Sequence, residues 1–272
     1  MIANDFIFPP NIIVFGQTGA GKSSLINMLA RTEVAVVSNQ AAGFTSSNRS
    51  YNISPPNDYG KNLSSTYVFW DTAGLNEGDH GTVPMQDALE NLLKLVNEQS
   101  VNLVIYCIRG SRLTPIVRVN YDLFWGIICE GKVPIVLVVT GLELENNMDG
   151  WWKKNNGLFQ QMGLSFDGLA CVTTAMGRDD THNAKFWESE EKVWHLIREH
   201  CSPRPWSISP GWIPGAHKSM KKYMEAYNSR NGNERNALPP RIFQRFNSRT
   251  SRVRAISMAT GSATTVCIML SP

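Results

Sequence analysis

The stretch VFGQTGAGKSSLINML, beginning at Val14, sets three glycines, a lysine and two serines between an apolar strand-like run and an apolar helix-like run. Gly16, Gly19 and Gly21 tolerate positive φ and leave backbone N–H groups uncovered, so the loop can wrap an anion. Lys22 adds a positive charge, and Ser23 adds a hydroxyl suited to a hard cation. The spacing Gly16-x-x-x-x-Gly21-Lys22-Ser23 is that of a phosphate-binding P-loop. Thr18, Ala20 and Ser24 complete the segment expected to face the phosphates. The context fits as well. Asn11–Phe15 is a β-branched run of the kind a buried strand needs, and Leu25, Ile26 and Leu29 share one helical face. The start of that helix would point unsatisfied N–H groups at the anion. A chance glycine-rich turn would not require this order of strand, loop and helix.

A second element stands about 50 residues on, in STYVFWDTAGLNEGD. Tyr67–Trp70 reads as a strand, with Asp71-Thr72-Ala73-Gly74 at its carboxyl end. In P-loop proteins a carboxylate at this place holds Mg²⁺ through water, and a glycine N–H meets the γ-phosphate. Alone, Asp-x-x-Gly is a common turn; paired with a P-loop it is informative. Between the two lies NQAAGFTSSNRSYNI, where Thr45 is the candidate for a second hydroxyl on Mg²⁺. The competing reading is a polar surface loop, with Ser46 and Ser47 as neighbours that could serve instead.

Further along, VNLVIYCI (Val101–Ile108) and VPIVLVV (Val133–Val139) read as buried strands, and GLACVTTAMG supplies another. Met85, Leu89, Leu92, Leu93 and Val96 recur at helical spacing. Alternating strands and helices predict an α/β fold, a mainly parallel sheet covered on both faces. Thr140-Gly141-Leu142-Glu143 ends one strand and Thr173-Thr174-Ala175 follows another, where such sheets place ligand-contacting residues.

Charge divides the chain. Residues 1–202 carry 15 Lys and Arg against 21 Asp and Glu, whereas residues 203–272 carry 11 against 2. The boundaries expected are a nucleotide-binding domain over residues 8–202 and a flexible basic tail over 203–272. The tail's charge suits acidic lipid or RNA, but no aromatic interleaving accompanies it, and a solvated tail is the reading adopted. No stretch approaches the ~20 apolar residues of a membrane span. The first ten residues lack the pattern of a signal peptide. Five cysteines without Cys-x-x-Cys spacing point to a reduced, cytoplasmic setting. His195, His200 and Cys201 do not converge on one helical face and are read as structural rather than as metal ligands.

The order of these motifs resembles the five motifs of regulatory GTPases. More narrowly, FGQTGAGKSSLIN, DTAGLNEG and VTGLELE look like the immune-associated (avirulence-induced) nucleotide-binding GTPases of the septin-like and Toc-like branch, short fungal members in particular. The resemblance runs from about Asn11 to Cys201. It implies a three-layer P-loop domain that binds GTP or GDP with Mg²⁺. Lys22 and the loop amides would hold the phosphates, Ser23 and Thr45 the metal with Asp71 in its outer shell, and Gly74 would sense the γ-phosphate. Thr140, Glu143, Thr174 and Ala175 would meet the base.

Two departures matter. Most GTPases read guanine with Asn/Thr-Lys-x-Asp, and here Gly141 and Glu143 replace the lysine and aspartate. Glutamate can still accept from guanine N1–H and N2–H₂, and a carboxylate there disfavours adenine; a solvated loop charge is the alternative. Leu75 replaces the glutamine that orients the attacking water in small GTPases. Slow hydrolysis follows, completed across a homodimer formed through the switch face or by another partner. Arg112 matches an arginine of the family's conserved box, with Arg49 and His80 as other candidates. A nucleotide-dependent assembly scaffold and an ATP-using P-loop enzyme are the rival readings.

Overall fold

The computed structural model describes residues 8–36, 48–56, 66–75, 85–110 and 113–228. Six strands form one sheet in the order β2-β3-β1-β4-β5-β6. They are β1 (Asn11–Gly16), β2 (Arg49–Ile53), β3 (Tyr67–Asp71), β4 (Leu103–Arg109), β5 (Ile135–Thr140) and β6 (Gly168–Cys171). All pairings are parallel except that of β2, an edge strand antiparallel to β3. The helices are α1 (Lys22–Ala30), α2 (Met85–Glu98), α3 (Pro115–Tyr121), α4 (Met148–Gln161), α5 (Asn183–His200) and α6 (Ile213–Asn228). This is the mainly parallel P-loop architecture expected from the alternating pattern.

Strand alternation divides the core in two. Ile13, Phe15, Val104, Tyr106, Ile108, Leu137 and Val139 point to the face covered by α2, α3, α4 and α6. Ile12, Val14, Leu103, Ile105, Cys107, Val136 and Val138 point to the face covered by α1 and α5. Successive side chains on a strand face opposite sides, so a strand apolar at every position must be covered twice. Phe15 stacks on Tyr106 with ring centroids 4.4 Å apart, joining β1 to β4 in the first layer.

Chain connections reverse direction at β1, whose neighbours are β3 and β4. That reversal opens a crevice beyond the carboxyl ends of the strands, the usual ligand position in such sheets. The P-loop leaves β1 at this point.

Two features depart from the sequence reading. The helix after β4 widens into a π-helix over Asp122–Ile128, continuous with α3. The basic segment from residue 203 is not wholly a tail. Trp206 pairs with Val101 in a β-bridge, and Ile208, Ala216, Met220 and Tyr223 are buried in the first core layer. Trp212 Nε1 donates to Ile127 O at 3.0 Å, and the Tyr223 hydroxyl donates to Asp122 Oδ2 at 2.9 Å. Asp122 also pairs with Arg118, whose guanidinium donates to Met162 O. The boundary at 202 therefore moves at least to 228, because the apolar face of α6 covers the π-helix. Residues 229–272 lie outside the described residues.

Candidate functional site

The P-loop is shaped by steric demands that only glycine meets. Gly19 and Gly21 have φ of 74° and 82°. A Cβ built on Gly16 would lie 2.1 Å from Cys107 O, so the loop leaves β1 directly against the backbone of β4. Across the crevice, a Cβ on Gly74 would lie 2.0 Å from Thr18 Oγ1 and 2.7 Å from Thr18 N. Gln17 and Leu75 form a parallel bridge, with Leu75 N–H donating to Gly16 O at 3.1 Å. The Asp-Thr-Ala-Gly segment is thus bonded to the P-loop.

Lys22 begins α1 and is buried. Its Nζ donates to Gly16 O at 3.2 Å and to Gln17 O at 3.1 Å, folding the ammonium back over the loop. The Ser23 hydroxyl donates to Asp71 Oδ2 at 2.6 Å. Asp71 Oδ1 is buried with no hydrogen-bond partner among the described residues. Burial pushes the Asp71 carboxyl above its ordinary pKa, against the opposing effects of the Ser23 hydroxyl, Lys22 and Arg49. A hard divalent cation would favour the charged carboxylate and engage the orphaned oxygen. The donor set therefore fits Mg²⁺. Thr72 Oγ1 donates to Val14 O at 2.9 Å, fixing the turn on which Asp71 sits.

At the far side of the crevice, Thr140 Oγ1 donates to Ala20 O at 2.8 Å and ties β5 to the P-loop. Thr173 Oγ1 donates to Glu143 Oε2 at 3.2 Å, and Ala175 N–H donates to Thr173 Oγ1 at 3.2 Å. The Glu143 loop is also clamped by a residue the sequence reading passed over. Lys185 Nζ, from α5, donates to the carbonyls of Glu143 and Glu145, each at 2.8 Å. Arg109 was also passed over. It ends β4 exposed, and its side chain lies against Gly141: a Cβ built there would sit 3.2 Å from Arg109 Cγ and 3.3 Å from Nε.

The structure thus gathers Gly16, Thr18, Gly19, Ala20, Gly21, Lys22, Ser23, Asp71, Gly74 and Thr140 about one crevice, with Glu143, Thr173, Thr174 and Ala175 beside it. Ser24 lies in the first turn of α1. Thr45, His80 and Arg112 lie outside the described residues. Arg49 is exposed on β2, in register with Asp71. Leu75 is fully buried in the first core layer, so its side chain does not reach the crevice. His195 and His200 both lie against Glu199 on α5. Burial pushes the thiols of Cys107, Cys171 and Cys201 up to about 12, so none of the three is a nucleophile at neutral pH. No helix among the described residues is long and apolar enough to cross a membrane.

Residues 11–140 match the family model described as 50S ribosome-binding GTPase. A search of curated proteins finds no match. Among solved structures, the chain is similar to Era of Aquifex aeolicus bound to GDP.AlF4-, with 16% identity, a TM-score of 0.55 and coverage of 75% of this chain. The match spans 63% of Era's own length. A structure of Era with MgGDPNP and part of 16S ribosomal RNA matches at 17% identity and TM-score 0.55, covering 75% of this chain and 60% of Era. A dimerization-deficient variant of Toc33 from Arabidopsis thaliana matches at 17% identity and TM-score 0.50, covering 74% of this chain and 88% of Toc33. These identities speak to fold alone. Taken with the strand order, they show an α/β P-loop GTPase fold, with residues 11–140 similar to that family.

Proposed function

We propose that this chain is a guanine-nucleotide switch that binds GTP and GDP with Mg²⁺ and hydrolyses GTP slowly. The observation that carries the reading is the position of Glu143. Its carboxylate, held by Thr173, stands on the same sheet edge as the P-loop and is joined to it through Thr140. A carboxylate accepts from the two adjacent donors of guanine and finds none in that arrangement on adenine.

In this reading the P-loop amides and Lys22 bind the β- and γ-phosphates. Ser23 and Thr45 would hold Mg²⁺, with Asp71 behind it. Bound there, the ion would neutralise charge developing on the phosphates. Gly74 N–H would register the γ-phosphate, and Thr174 and Ala175 would line the base. The finer placement in the septin-like and Toc-like branch, and a cytoplasmic location, belong to the same proposal.

Titration with GDP, GTP and ATP tests the base. The wild-type chain should prefer GTP to ATP, Glu143→Ala should lose that preference, and Glu143→Asp should keep part of it. ATP competing as well as GTP against the wild type would remove the guanine claim and favour an ATP-using enzyme.

Leu75 leaves the water without an orienting amide, so a group from outside the described crevice must complete hydrolysis. A second copy meeting this one across the switch face is the arrangement proposed, with Arg112 supplying the cation; Toc33, a fold neighbour, has a variant described as dimerization-deficient. Supplying an arginine in trans raises turnover about 10³–10⁵-fold in known GTPases. Specific activity should therefore climb with protein concentration and lose that climb in Arg112→Ala. An Arg49→Ala loss without concentration dependence would instead place the cation in cis. Binding with no turnover at any concentration would support an assembly scaffold.

A further inference from the structure

Phosphates and the polar edge of a base account for two anchors of a nucleotide, but the flat face of the base needs a partner of its own. The geometry points to Arg109 as the residue that covers the base and sets nucleotide affinity from that side. This inference rests on the guanine-nucleotide reading above.

Strand alternation fixes the direction of the side chain. Leu103, Ile105 and Cys107 belong to the core layer under α1 and α5, so Arg109, two residues further, leaves β4 on that same side. Its partner in register is Thr140, whose hydroxyl reaches Ala20 of the P-loop. Its stem then crosses Gly141, two residues before Glu143. Arg109 accordingly lies beside two residues of the crevice edge, Thr140, which bonds to the P-loop, and Gly141, two residues before the carboxylate that would read the base.

Gly141 makes this arrangement possible. With φ of 74° and Arg109 Cγ 3.2 Å from the place a Cβ would take, the position favours glycine on both counts. Lacking a side chain, it leaves the space to the arginine. The guanidinium is planar and weakly hydrated, and it stacks on aromatic faces better than a lysine ammonium does. Arg109 is exposed at the end of β4.

The test measures affinities of wild type, Arg109→Ala and Arg109→Lys for GDP, GTP and inorganic tripolyphosphate by calorimetry in Mg²⁺. Arg109→Ala should weaken GDP and GTP alike, by about three- to thirtyfold, the range of a cation over an aromatic ring. Tripolyphosphate, which has no base, should bind both proteins equally. Arg109→Lys should recover part of the loss. Unchanged GDP affinity in Arg109→Ala overturns the inference, as does an equal loss with tripolyphosphate, which would show only general charge attraction. A loss confined to GTP would also overturn it, because that would place the cation at the γ-phosphate. Wild-type protein that binds neither GDP nor GTP defeats the parent reading instead, so the two failures are distinct.

Discussion

Lys22→Ala should weaken GTP and GDP binding by about thirtyfold or more, because truncating one partner of a desolvated charge pair typically costs ~2–5 kcal/mol. The buried ammonium now spends its donors on Gly16 O and Gln17 O, so it is already positioned over the cradle before ligand arrives. A phosphate would replace two neutral acceptors with charged ones. Those two carbonyls lie in a loop that also hangs on Thr140 and Leu75, so the unliganded variant should keep its circular dichroism and most of its melting temperature. Affinity equal to wild type in a titration would sink the P-loop assignment of this segment.

Ending the chain at residue 205 should cost most of the domain's stability. The shorter chain would lack Ile208, Met220 and Tyr223, all buried against the π-helix layer. Each large apolar residue lost from a core costs about 2–5 kcal/mol, while a whole domain is stable by only about 5–15 kcal/mol. The expected product is aggregated or lacks a cooperative thermal transition. Ending it after residue 228 should instead preserve the transition. A melting temperature unchanged by the cut at 205 would mean that α6 adds nothing to the core.

That contrast shows where sequence is legible and where it is not. β1, β3, β4, β5 and β6 could be read from apolar runs, β-branched in β1, β4 and β5, each leading into polar residues. A strand covered on both faces has few polar interruptions to mislead. The P-loop was legible because its glycines answer a steric demand independent of the rest of the fold. α6 was hidden by composition. Ala216, Met220 and Tyr223 do recur at helical spacing, but lysines surround them and a proline–glycine segment precedes them, so the charge balance dominated the reading. The π-helix follows a wider period than the helical template, and no short pattern announces it. Lys185 and Arg109 were missed for a different reason. Each acts through a partner distant in sequence, 42 residues away for Lys185 and Glu143, and a lone surface-type cation carries no signal of its destination.

The docking of α6 also bears on the order in which this protein can be completed. Asp122 and Tyr223, joined by a hydrogen bond, are 101 residues apart, and Ile127 and Trp212 are 85 apart. A nascent chain that has emerged from the exit tunnel as far as the end of α5 has therefore released every strand of the sheet and every residue of the described crevice, yet the π-helix still presents its apolar side to water. Only when the last described helix clears the exit tunnel does that side become covered. The nascent chain consequently holds a formed crevice edge and an unfinished back at the same moment, a stage at which a chaperone would find a binding surface and at which, under the proposed function, early nucleotide capture would offset the missing contacts.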